Sequence, residues 1–168
     1  MGVVVLVLWV VLAAGLPDQL PAAFGLARHA PDLWVLLVVY LACRGRGYAA
    51  VGWGIVVGLL RDAHSLDPLG THGFVLGLVG LLFAEGRADR GTLTGALRGA
   101  CVFAGVVVAG WAYVLRMLPL GGSLALPDLL AVFPTALWTA LAALPLCATL
   151  DRLRAFDDLL GRARGLPA

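Results

Sequence analysis

Charge is what this chain has least of. Charged residues make up 13% of its 168 positions, about half the roughly 25% of a soluble domain. Lysine is missing altogether, and all twelve basic residues are arginine. With 61% hydrophobic residues and a mean hydropathy of +0.97, a water-soluble fold is excluded. Its surface-to-volume ratio would leave too much apolar area facing water, so lipid is the solvent. Cysteine is equally sparse. Cys43, Cys101 and Cys147 lie far apart in or beside apolar runs, with no CxxC or Cys/His ligand spacing. Neither a zinc site nor a disulfide framework is indicated, and the cysteines read as buried free thiols. Catalytic signatures are missing too: no HExxH, GxSxG elbow, Walker loop or dinucleotide fingerprint occurs. No enzyme, cofactor or nucleic-acid partner is expected.

What is present is a series of apolar runs broken by brief polar connections. Gly99 to Leu115 and Leu129 to Leu150 approach or exceed the ~20 residues a spanning helix needs. Gly2 to Leu16, Leu33 to Cys43, Tyr48 to Leu60 and Thr71 to Ala84 are shorter, and cross with flanking arginines snorkelling or a locally thinned bilayer. The expected fold is therefore an all-α polytopic membrane protein of about six transmembrane helices, one bundle over residues 1–150. A re-entrant pairing of the second and third runs would lower the count to four or five. The first run lacks a basic n-region and reads as an uncleaved helix rather than a signal peptide. A Pro-rich connection, Pro17 to Asp32, follows it.

Arginine placement orients the bundle. With both termini cytoplasmic, Arg44, Arg46, Arg87, Arg90, Arg98, Arg152, Arg154, Arg162 and Arg164 fall inside, and only Arg28, Arg61 and Arg116 outside. Nine against three is a clear bias. Residues 151–168 place Leu153, Phe156 and Leu160 at roughly helical spacing after Leu150, which suggests a short cytoplasmic amphipathic tail or a continuation of the last helix. Five tryptophans, one in each run except the fourth, read as interfacial anchors or core packing.

The most informative stretch is Val51 to Arg87, two glycine-studded runs joined by the hinge RDAHSLDPLGTH. Polar groups near membrane depth are costly and carry a functional hypothesis by default. Glycines recur at four-residue spacing, Gly54 with Gly58 and Gly73 with Gly77, which lets helix backbones approach closely. Asp62 lies one turn after Gly58, and Asp67-Pro68-Leu69-Gly70 reads as a turn. The Asp62 carboxylate is stable there if it accepts backbone N–H groups at the start of the next helix or pairs with Arg61. Capping is the expected role of the hinge, with contact to a partner or ligand as the alternative. Catalysis or metal binding through Asp62, His64, Asp67 and His72 is disfavoured by their spacing.

These residues resemble the MreD family of rod shape-determining membrane proteins. The likeness rests on Ala30-Pro31-Asp32-Leu33 entering the second run, the basic turn Arg44-Gly45-Arg46-Gly47, and Gly58-Leu59-Leu60-Arg61-Asp62 followed by Asp67-Pro68-Leu69-Gly70. It is best over Leu16 to Arg87; two histidines and a second aspartate in the hinge depart from the pattern. The resemblance implies a bundle similar to the substrate-binding subunits of energy-coupling-factor transporters. It also implies a non-enzymatic scaffold of the cell-wall elongation machinery in the bacterial inner membrane. Its expected partners are an MreC-like bitopic protein, a RodA-type polymerase with its transpeptidase, and an MreB-type filament. Asp62, Asp67, Pro68, Leu69 and Gly70 would then shape a hinge open to partner contact. The alternative is a small-molecule carrier subunit. The scarcity of polar residues inside the runs, where Thr135, Thr139 and Tyr113 are nearly all there is, counts against it.

Overall fold

The computed structural model describes residues 2–24, 30–44, 48–65, 68–85, 95–118 and 126–152. Six helices occupy them: α1 (Gly2–Phe24), α2 (Leu33–Arg44), α3 (Ala49–Asp62), α4 (Thr71–Glu85), α5 (Gly95–Met117) and α6 (Leu126–Arg152). The segments of α5 and α6 from Gly95 to Arg116 and from Leu126 to Arg152 are long and apolar enough to cross a membrane. Val4–Gly15, Leu33–Arg44 and Thr71–Ala84 are shorter apolar helices.

The architecture follows from α2. Every residue from Leu33 to Ala42 is buried, as expected of a helix that is apolar on all sides. The helices α3, α4, α5 and α6 surround it, and α1 packs on its start. There the Trp9 indole N–H donates to the Leu33 carbonyl at 3.0 Å. Two tight antiparallel pairs, α3 with α4 and α5 with α6, form the walls.

The outer surface is apolar as well. Val4, Val7, Leu8 and Val11 form one exposed stripe on α1, and Leu130, Leu137, Leu141 and Leu144 another on α6. Patches of this extent are not tolerated on soluble monomers and are the ordinary exterior of a bundle in lipid.

Three helix boundaries differ by more than two residues from the sequence expectation, and one of them is the start of α5 at Gly95 rather than Gly99. Helix α1 does not stop at Leu16 but runs through Pro17 and Pro21 to Phe24. The two prolines sit one turn apart, so the N–H donors they lack fall on one helix face. Helix α6 begins at Leu126 rather than Leu129. Pro127 is tolerated in a first turn, where amide N–H groups have no helical partner, and Asp128 complements the helix dipole. Of the expected tail, Asp151 and Arg152 end α6, and residues 153–168 lie outside the described residues, as does Asp67 of the hinge.

Candidate functional site

The hinge forms because α3 and α4 approach until their backbones touch. A Cβ on Gly54 would collide with the Leu76 backbone, one on Gly58 with His72 and Gly73, and one on Gly80 with Ala50. On the facing side, Gly73 and Gly77 receive the side chains of Leu59 and Ile55. All four glycines singled out from the sequence thus lie in the α3–α4 contact.

One turn beyond Gly58, this approach brings the Asp62 carboxylate onto the open N-terminus of α4. Its Oδ1 accepts the His72 backbone N–H (2.9 Å) and the His72 Nδ1–H (2.8 Å). Its Oδ2 accepts the backbone N–H groups of Gly70 (2.9 Å) and Gly73 (3.2 Å). Asp62 is only 4% exposed, and four donors satisfy it where an unpaired carboxylate would be prohibitive. The first amides of a helix lack intrahelical partners. Here a side chain from the preceding helix supplies them.

The turn residues complete the loop. Pro68 offers its carbonyl to the Thr71 N–H (3.1 Å) and hydroxyl (2.7 Å). Gly70 has φ of +92°, a conformation other residues adopt only under strain. Leu69 is 79% exposed. His64 is exposed, its Nδ1–H donating to the Leu60 carbonyl at 2.7 Å, and takes no part in the Asp62 cluster.

Arg61 turns away from Asp62 and pairs with Asp32 (2.8 Å). Asp32 in turn caps α2, its Oδ1 accepting from the N–H groups of Trp34 and Val35 at 3.1 Å. The Asp32 amide donates to Thr139 Oγ1 (2.8 Å), and the Thr139 hydroxyl donates to the Thr135 carbonyl (2.7 Å). His72 stacks on Tyr113 of α5, with ring centroids 5.3 Å apart. Asp32, Arg61, His72, Tyr113, Asp128 and Thr135, together with apolar side chains, line a cavity of about 420 Å³.

The carrier alternative expects the polar hinge and the Pro17–Asp32 connection to cap a ligand cavity, but the sequence reads Arg61 as a possible partner of Asp62 and as an outer arginine, and Asp32 as an entry into the second run, without pairing the two. The available signal was that each is a charge at the end of an apolar run, on the same side of the bundle.

A second ionic cluster closes the opposite end. Asp151 at the end of α6 pairs with Arg44 of α2 (3.1 Å) and with Arg98 of α5, and accepts the Tyr40 hydroxyl (2.9 Å). Among the described residues, no group of three or more His, Cys, Asp or Glu is placed to hold a metal ion.

A family model described as rod shape-determining protein MreD matches residues 1–153. No curated protein and no solved structure matches the chain.

Proposed function

The chain belongs to the MreD family of rod shape-determining membrane proteins, and from that premise we propose that it is a non-enzymatic scaffold of the cell-wall elongation machinery. In this reading it sits in the bacterial inner membrane as a six-span bundle with both ends cytoplasmic. It docks an MreC-like bitopic partner, and through it a RodA-type polymerase with its transpeptidase and an MreB-type filament, so supporting peptidoglycan synthesis.

The family match over nearly the whole chain carries this role. The hinge geometry supports it: the polar chemistry of Asp62 is taken up in capping α4, which holds Pro68 and exposed Leu69 as a fixed projection. A rigid apolar knob beside exposed helix faces suits contact with a bitopic partner's helix and stalk. Co-purification tests it. A tagged, folded chain extracted in mild detergent is expected to retain a bitopic membrane protein, and Leu69→Asp is expected to weaken that retention. A folded chain that never retains one contradicts the docking role.

The cavity favours a second reading, a membrane-embedded substrate-binding subunit similar to those of energy-coupling-factor transporters. Its charged residues Asp32, Arg61 and Asp128 come from helix ends, and Tyr113 and Thr135 add polar groups from within the runs, so the scarcity of polar residues inside the spans counts less against it. That reading expects an ATPase module to co-purify, whereas the scaffold reading expects none.

A further inference from the structure

Asp151 sits among more positive charge than it can neutralise. It is the next-to-last residue of α6. Its Oδ1 takes Arg44, the last residue of α2, at 3.1 Å and the Tyr40 hydroxyl at 2.9 Å. Its Oδ2 takes Arg98, in the first turn of α5. One carboxylate thus bridges two guanidiniums, and Arg152, exposed at the end of α6, adds a third positive charge. Glu85 closes α4 at the same end. Three arginines against Asp151 and Glu85 leave a net charge of +1 on the described helix ends.

The arginines are not used up by this contact. A guanidinium has five N–H donors, and among the described residues Arg98 bonds through Nη1 alone. Its side chain, like that of Arg44, is about a quarter exposed. What one carboxylate spans between the two arginines, a phosphate can span as well, being a slightly larger anion with similarly paired oxygens.

We propose that Arg44 and Arg98 bind the phosphate of an anionic glycerophospholipid of the phosphatidylglycerol type, from the leaflet at this end of the bundle. The proposal rests on the membrane reading of the preceding subsection, whose topology makes that leaflet the cytoplasmic one. Position selects a lipid as the source of the phosphate. Helices α2, α4 and α6 end here and α5 begins, so the cluster marks the level where apolar runs give way to headgroups. Apolar surface adjoins it. Leu97, beside Arg98 in the chain, and Leu144, whose side chain faces Gly95 and Gly99, are both exposed. Acyl chains lie against these leucines while the phosphate stays with the arginines, as in other basic pockets between membrane helices. Charge selects the headgroup. One phosphodiester neutralises the single excess charge, whereas a zwitterionic headgroup brings an ammonium that the three arginines repel.

Native mass spectrometry of the full-length, delipidated protein tests this, with equimolar phosphatidylglycerol and phosphatidylethanolamine added back. The wild type is expected to retain phosphatidylglycerol over phosphatidylethanolamine by about fivefold, the weight of one arginine at an anionic surface. Arg98→Gln is expected to erase that preference. Arg116→Gln, which removes an exposed arginine near the other end of α5, is expected to keep it. Asp151→Asn removes the competing carboxylate and is expected to raise the preference by roughly another fivefold, a gain that a cluster serving only to hold helices together does not give. Should Arg98→Gln fail to fold, Asp151→Asn decides. Equal retention of the two lipids by the wild type, an unchanged preference in Arg98→Gln, or no rise in Asp151→Asn overturns the proposal. The unfolding midpoint in detergent distinguishes the sources of phosphate. It is expected to rise with phosphatidylglycerol and not with inorganic phosphate at the same concentration; an equal rise means that the ligand is soluble and the lipid assignment wrong. Carbonate extraction of cell membranes separates this failure from that of the underlying reading: a chain that stays in the pellet keeps the membrane reading even if the lipid preference is lost.

Discussion

At the scale of single residues, the account turns on Asp62 and Gly58, which act as one device. Gly58 admits the α4 backbone, and Asp62 then captures its free amides. Asp62→Asn keeps the shape but turns an amide NH₂ toward backbone N–H donors. Hydrogen bonds to a charged group are worth ~1.5–3 kcal/mol each, so the variant is expected to lose about 2–4 kcal/mol, measured as a fall in unfolding midpoint in detergent. Gly58→Ala places a methyl against the His72 and Gly73 backbone and is expected to cost roughly 1–3 kcal/mol. Gly52→Ala, on the same helix with open space around it, is the control and is expected to be neutral or slightly stabilising through helix propensity. A similar loss for both alanine variants would mean that α3 and α4 are not in backbone contact at Gly58.

At the scale of elements, two ionic clusters clamp opposite ends of the bundle. The Asp32–Arg61 pair ties α2 to α3, while Asp151 ties α6 to α2 and α5. Asp151→Asn removes the carboxylate charge that Arg44 and Arg98 share. Because both arginines are partly exposed, solvent screens the effect, and about 1 kcal/mol is expected. The loss should shrink in high salt when unfolding is followed with added NaCl; an effect independent of salt would mean that the cluster does not act through charge.

The run pattern located the elements because a bilayer forces each helix to be apolar along its length. It could not locate the ends of α1 and α6. Pro17, Pro21 and Pro127 read as punctuation in a sequence; the missing donor of Pro127 costs little in a first turn, while Pro17 and Pro21 are carried inside α1. The partner of Arg61 was hidden for a related reason. Sequence adjacency suggested Asp62, but neighbours on a helix point apart, and only the packing of α2 against α3 brings Asp32 within reach.

At the scale of the whole molecule, the apolar exterior and the positions of the charges describe a protein built to sit within a membrane. The proposed topology is open to direct test in a background lacking the three native cysteines. His64→Cys, at an exposed hinge position, is expected to react with a membrane-impermeant maleimide in intact cells. Arg152→Cys, exposed at the end of α6, is expected to react only after permeabilisation. The reverse pattern would invert the bundle.

The family membership makes cell shape the property most directly at stake. Depletion of the protein in a rod-shaped host, followed by microscopy of cell outline, tests it. The account predicts that cells round up and lyse as the protein is lost; cells that remain rod-shaped without it would contradict the account.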